Sequence, residues 1–96
     1  MPGKLVRDKI PEIMRRHGLN PIVRTLNESA FAEALREKLH EEVSEYTDSG
    51  SLEELADVLE VIHELVKMHK TTMDEIERIR LHKERGAGRL FPAAVC

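Results

Sequence analysis

The stretch from Glu37 to Val66 reads EKLHEEVSEYTDSGSLEELADVLEVIHELV. Apolar residues recur at three- and four-residue intervals on both sides of Asp48-Ser49-Gly50, the pattern of two helices joined by a turn. Ser51 with Glu54 three residues later is a capping box, so the second helix of the pair starts there. On the first helix, with Leu39 set at 0° and about 100° per residue, Val43, Tyr46, Leu35 and Phe31 form an apolar stripe. The second is apolar over about 240° of its circumference, more than one neighbour can cover.

Working outward, the first of these helices begins at about Glu28, with Asn27 as N-cap, and runs to Thr47. The second runs from Ser51 to about His69. Thr72 with Glu75 repeats the capping box and opens another helix from Met73 to about Arg85, with Gly86 as its stop. Near the N-terminus, Pro11 suits a first helical turn and Gly18 the position just past the end. Residues 19–26 read as extended or irregular, and so does the tail from Ala87 to Cys96. The expectation is one all-α domain over residues 1–96, a bundle of four helices with the first one short, completed by oligomerisation through the apolar third helix.

Composition narrows the function classes. The chain has 96 residues, 34% charged and 41% apolar. No run of 18 apolar residues is present, so a membrane span is not expected. The start, Met1 to Asp8, lacks the apolar core of a signal peptide. One cysteine, Cys96, has no bridge partner and fits a reducing cytoplasm. The net charge of −3 hides a pattern, because residues 1–24 and 78–96 are each +4 while residues 25–77 are −11. Duplex DNA needs a continuous basic face, which this pattern lacks. With two Phe and one Tyr, the chain also lacks the aromatics of a base-stacking RNA surface. No nucleic-acid partner is expected. An acidic middle with basic ends suits a site that holds a metal with carboxylates and a polyphosphate with cations.

The acids carry the chemistry. Glu42 falls at about −60° on its helix, inside the apolar stripe, and Glu45 at about −120°, on the edge. Glu41, at about −160°, turns away, while Lys38 at about −100° lies between the inward pair. On the next helix Glu54 falls inside the apolar arc and Asp57 just past its rim. Each helix thus carries an inward acid and a second acid three residues on. An ionised carboxylate buried without a partner is costly, and four of them call for a cation. Oxygen donors favour Mg²⁺ or Mn²⁺ over zinc, for which the histidines and the lone cysteine show no ligand spacing. A plainer account stays open, in which Glu54 completes its capping box and Asp57 belongs to a solvated strip with Glu60 and Glu64. Lys83 lies on the apolar stripe of the last helix, with Arg80 beside it. It either snorkels over its neighbours or aims an ammonium at a phosphate. No glycine-rich phosphate loop is present.

The run Lys38-Leu39-His40-Glu41-Glu42-Val43-Ser44-Glu45, followed by Glu54-Leu55-Ala56-Asp57, resembles the Glu-Glu-x-x-Glu and Glu-x-x-Asp motif of the all-α nucleoside triphosphate pyrophosphohydrolases. This is the MazG-like superfamily, which also holds phosphoribosyl-ATP pyrophosphohydrolase. Lys4-Leu5-Val6-Arg7-Asp8-Lys9-Ile10-Pro11 resembles the opening of a phosphoribosyl-ATP pyrophosphohydrolase-like subgroup. The resemblance implies Mg²⁺-dependent hydrolysis of a nucleotide substrate to the monophosphate and pyrophosphate. It implies Glu42, Glu45, Glu54 and Asp57 as metal ligands, with Glu45 also accepting a proton from water and Lys83 assisting catalysis. Arg7, Lys9, Lys38, Lys83 and Arg85 would contact substrate. Two departures stand out: only eight residues separate Glu45 from Glu54, and Arg85 to Phe91 differs from the usual Arg-Gly-Gly-Phe-like ending. The rival expectations are a phosphoribosyl-ATP pyrophosphohydrolase of histidine biosynthesis and a non-catalytic helical interaction module.

Overall fold

The structure, a computed structural model, describes residues 4–90. It is all-helical, with four helices and no strand among the described residues: α1 Ile10–Arg16, α2 Glu28–Ser49, α3 Leu52–Met68 and α4 Met73–Ala87. No described helix is long and apolar enough to cross a membrane. The chain divides into two compact units, Met1–Leu65 and Val66–Cys96, with the last turn of α3 falling in the second.

In the first unit the helix ends follow local chemistry. Asn27 caps α2, its side chain accepting from the Ala30 N–H at 2.8 Å. The helix continues through Asp48 and Ser49, which the sequence reading assigned to the turn, and stops only at Gly50. Gly50 takes φ 63°, a left-handed conformation that costs a non-glycine residue energy, and its N–H closes on the Tyr46 carbonyl at 2.7 Å. With only Gly50 and Ser51 between them, α2 and α3 are forced into an αα-hairpin. Pro11 lies in the first turn of α1, and Gly18, at φ 80°, follows its end.

The buried face of α2 is rotated from the apolar stripe. Ala34, Leu35 and Glu42 are its buried residues, while Val43 is 45% exposed. The burial maximum lies about 60° round from Leu39, and Glu42 sits at its middle rather than its margin. On α3 the covered side runs through Glu54, Asp57, Val58 and Val61. The other side leaves Leu52 at 82%, Leu55 at 44% and Leu59 at 48% exposed. The apolar circumference of α3 is therefore half covered within one chain.

The second unit holds α4. Thr72 caps it, accepting from the Glu75 N–H at 3.2 Å. Gly86 is helical, and the stop expected there falls at Gly88, φ 86°, whose N–H bonds the Glu84 carbonyl. Along the exposed face Glu75 pairs with Arg78, Glu77 with Arg80, and Arg80 with Glu84. Lys83 is exposed, and Ile76 and Ile79 on the same helix are partly exposed as well. Of the expected irregular tail, Ala87 is helical, while Phe91 to Cys96 lie outside the described residues.

Candidate metal centre

The α2–α3 hairpin brings the acids of both helices together. One ligand oxygen each from Glu42, Glu54 and Asp57 lie within 4.8 Å of one another. A second group, Glu41, Glu42 and Glu45, meets the same limit and shares Glu42. The four sequence-expected ligands thus fall in two overlapping sets, the second of which also includes Glu41, with Glu42 buried at their junction and Glu45 exposed. Glu41, expected to turn outward, is instead half-buried. The rotated face of α2 covers it in part, and Lys38 one turn before it and Lys4 from the N-terminal segment reach it.

Glu42 is the most revealing side chain. It is the one buried charged residue among the described residues, at 6% exposure. Its Oε1 takes the Lys38 ammonium at 3.1 Å, and its Oε2 is buried with no hydrogen-bond partner. Glu54 Oε2 is buried without a partner as well. Such groups are rare in folded proteins because each retains its desolvation cost.

The capping-box account of Glu54 is only half met. Ser51 Oγ accepts from the Glu54 N–H at 3.3 Å, so the N-cap forms. The reciprocal donor, the Ser51 N–H, bonds Ser49 Oγ at 3.2 Å. Because α2 extends to Ser49, that hydroxyl reaches the cap and the Glu54 carboxylate is left for the interior. The Thr72 box behaves alike, since the Glu75 carboxylate goes to Arg78.

Three cations from the chain compensate the acids. Lys38 Nζ reaches Glu42 at 3.1 Å and Glu41 at 3.5 Å. Burial works to lower its pKa, but hydrogen bonds and charge from Glu42 and Glu41 outweigh that and hold it above the ordinary value. Lys4 Nζ lies 3.3 Å from Glu41. Arg7 forks onto α3, with Nη2 2.7 Å from Asp57 and Nη1 2.9 Å from Glu60. These bonds, first the one to Asp57, hold its pKa above the ordinary value. The sequence reading missed Lys4 and Glu60 as partners. The Lys38 contacts follow from i,i+3 and i,i+4 spacing, but Lys4 and Arg7 act across 37 to 53 residues, where no local signal exists.

A small divalent ion has opposed ligands about 4.2 Å apart, twice a ~2.1 Å bond. The 4.8 Å limit on Glu42, Glu54 and Asp57 is therefore within side-chain adjustment of a coordination shell. The two orphaned oxygens and the all-oxygen donor set fit such an ion. Of the residues expected to contact substrate, Arg7 and Lys38 are engaged with the acids and Lys9 is exposed at the N-cap of α1. Lys83 and Arg85 are exposed on α4, in the second unit.

No protein-family model matches the chain, and no solved structure matches it significantly. An uncharacterised protein of Mycolicibacterium smegmatis is 50% identical over 43 residues, which cover 45% of this chain and 44% of that protein. The chain thus spans less than half the length of that relative.

Proposed function

We propose that this protein is a Mg²⁺-dependent nucleotide pyrophosphohydrolase, with Mn²⁺ as a substitute ion. The observation that carries the reading is the buried Glu42 carboxylate with an unpartnered oxygen, grouped within 4.8 Å with Glu54, which also carries an orphaned oxygen. The large majority of buried side-chain polar atoms have a hydrogen-bond partner, so two orphaned oxygens in one acidic group call for an explanation. The motif resemblance names the reaction class, and the donor set agrees with the ion it requires.

In this reading Glu42, Glu54 and Asp57 would hold the ion, and Glu45, grouped with Glu42, would add a further carboxylate. A bound divalent ion there would neutralise phosphate charge and lower the pKa of a coordinated water. Glu45, exposed and at the outer edge of its group, takes the proton of the attacking water. The water oxygen forms a bond to phosphorus as the phosphoanhydride bond breaks, leaving a monophosphate and pyrophosphate. Lys9 contributes positive charge to the phosphates, and Lys38 keeps the Glu41–Glu42 pair compensated.

We further propose a cytoplasmic homo-oligomer, at least a dimer. The exposed stripe Leu52, Leu55, Leu59 supports it, since a stripe of large aliphatic residues gains by burial against a second chain. The test of function is pyrophosphate release from a panel of nucleoside triphosphates and phosphoribosyl-ATP, with Mg²⁺, with Mn²⁺ and with chelator. Ion-dependent release is expected. A strong preference for phosphoribosyl-ATP would assign the histidine-pathway activity. Release from none of them with either ion would leave the helical interaction module as the better reading.

A further inference from the structure

Arg7 is placed unlike the other two cations of the site. Lys38 sits on the same helix as its partners and cannot move far from them. Lys4 contacts Glu41, which lies outside the Glu42–Glu54–Asp57 set. Arg7 comes from the segment before α1 and puts one arm of its guanidinium directly on Asp57, a member of that set. Its other arm holds Glu60, one turn further along α3. The side chain is 56% exposed, so little packing retains it. Its backbone is nonetheless tethered, because its carbonyl accepts from the Ile10 N–H at 3.0 Å where α1 begins. A guanidinium on a fixed anchor with a solvent-facing side chain can swing without unfolding anything.

The chemistry makes Asp57 a contested acceptor. A carboxylate bound to a doubly charged ion has surrendered much of its charge and is a poor partner for arginine. The ion also repels a guanidinium a few ångströms away. Once detached, the guanidinium stays next to the acids, and its planar fork matches phosphate oxygens. We infer that Arg7 is a stand-in cation that occupies Asp57 in the ion-free chain, is displaced when a divalent ion binds, and then engages the substrate phosphate. This inference rests on the pyrophosphohydrolase reading and adds an order of events to it: ion first, phosphate second.

The experiment is calorimetric titration of Mg²⁺ into the full-length wild type and Arg7→Gln, followed by inorganic pyrophosphate at saturating Mg²⁺. Removing an internal competitor should tighten Mg²⁺ binding by about two- to fivefold, the range of an exposed ion pair. Pyrophosphate should bind the variant about tenfold more weakly, as expected for loss of a charge-assisted contact. In the wild type, the Arg7 Nε–H NMR signal should shift on adding Mg²⁺, a readout that needs no variant. Equal or weaker Mg²⁺ binding by Arg7→Gln would overturn the inference, because a residue that orients Asp57 gives that sign. An unmoved Arg7 signal at saturating Mg²⁺, or unchanged pyrophosphate affinity, would overturn it too. Wild type that binds no Mg²⁺ at millimolar concentration removes the functional reading and this inference together. Wild type that binds Mg²⁺ while the variant behaves identically removes only the inference.

Discussion

Glu54→Gln separates a metal-binding carboxylate from a structural one. Its backbone N–H already caps on Ser51, and the reciprocal donor is served by Ser49, so the substitution leaves the start of α3 intact. What changes is charge. Two carboxylates with oxygens within 4.8 Å of each other repel by at least about 3.5 kcal/mol at an effective dielectric of ~20. Glu54 has two such neighbours, Glu42 and Asp57, each partly compensated by Lys38 or Arg7. After that compensation, neutralising Glu54 should stabilise the ion-free chain by about 1–2 kcal/mol. In a chain of 96 residues each kcal/mol moves the Tm by about 4–8 °C, so a rise of roughly 5–15 °C is expected in chelator. With Mg²⁺ the order reverses. A ligand at a hundredfold excess over Kd adds about 2.7 kcal/mol to the wild type and little to a variant that has lost a ligand. Scanning calorimetry at one fixed chain concentration, with and without Mg²⁺, should therefore show crossed stabilities. Equal Mg²⁺ responses would refute Glu54 as a ligand, and a lower Tm in chelator would refute the repulsion argument.

Lys38→Met should destabilise the ion-free chain by about 1–3 kcal/mol in urea titrations, because Glu42 is left buried with neither oxygen paired. The Lys38 pKa is raised, so its contribution is complete below the ordinary value of 10.5 and is lost as pH rises through the higher folded value. A wild type and variant of equal stability at neutral pH would contradict this. Light scattering at micromolar concentration should give the wild type at least a dimer mass. Leu59→Glu, which charges the middle of the exposed stripe, should give the monomer. A wild type that is monomeric without regard to dilution would refute the oligomer. On α4 the Glu75 and Glu77 carboxylates are held below their ordinary value of 4.5, first by hydrogen bonds from Arg78 and Arg80. Their support of the helix is thus present above that value and lost as pH falls through the lower folded one. Amide protection factors in α4, corrected for the intrinsic pH dependence of exchange, should fall on acidification through that window, and Glu75→Gln should weaken the dependence.

The helices were legible because their signals are local. Asn27, Ser51 and Thr72 each accept from the N–H three residues on, as their side-chain chemistry requires. The misplaced ends share one cause. Ser49 and Gly86 have weak helix propensity but tolerate helix, so the chain runs on to the next glycine that adopts a positive φ, Gly50 or Gly88. The face of α2 was read less well. The apolar residues alone centre the stripe near Leu39, yet Ala34 and Glu42 are buried and Val43 is 45% exposed. Ala34, too small to mark a stripe by its hydropathy, lies on the buried side.

The acids were found and their compensation was not, for a different reason. Periodicity placed Glu42 and Glu54 inward, since a carboxylate at an apolar position stands out against its neighbours. It had no means of showing that Lys4 and Arg7 return across the acids, because those contacts depend on the path of residues 4–9. Nor could it show that Ser49 would take over half of the Ser51 capping box. These unreadable contacts bear on function in opposite ways. The Ser49 bond withdraws the local reason for Glu54 and so strengthens the case for a ligand. The Arg7 fork gives Asp57 a partner of its own and so weakens the case that this acid alone demands an ion. Glu42 decides between them. Its side chain is more buried than any other acid described here, Lys38 satisfies one oxygen, and the remaining orphan lies where α2 and α3 meet. A well-packed apolar side chain there would serve the hairpin at least as well. Packing is thus a poor reason for the carboxylate, and a bound cation is the reading we propose for it.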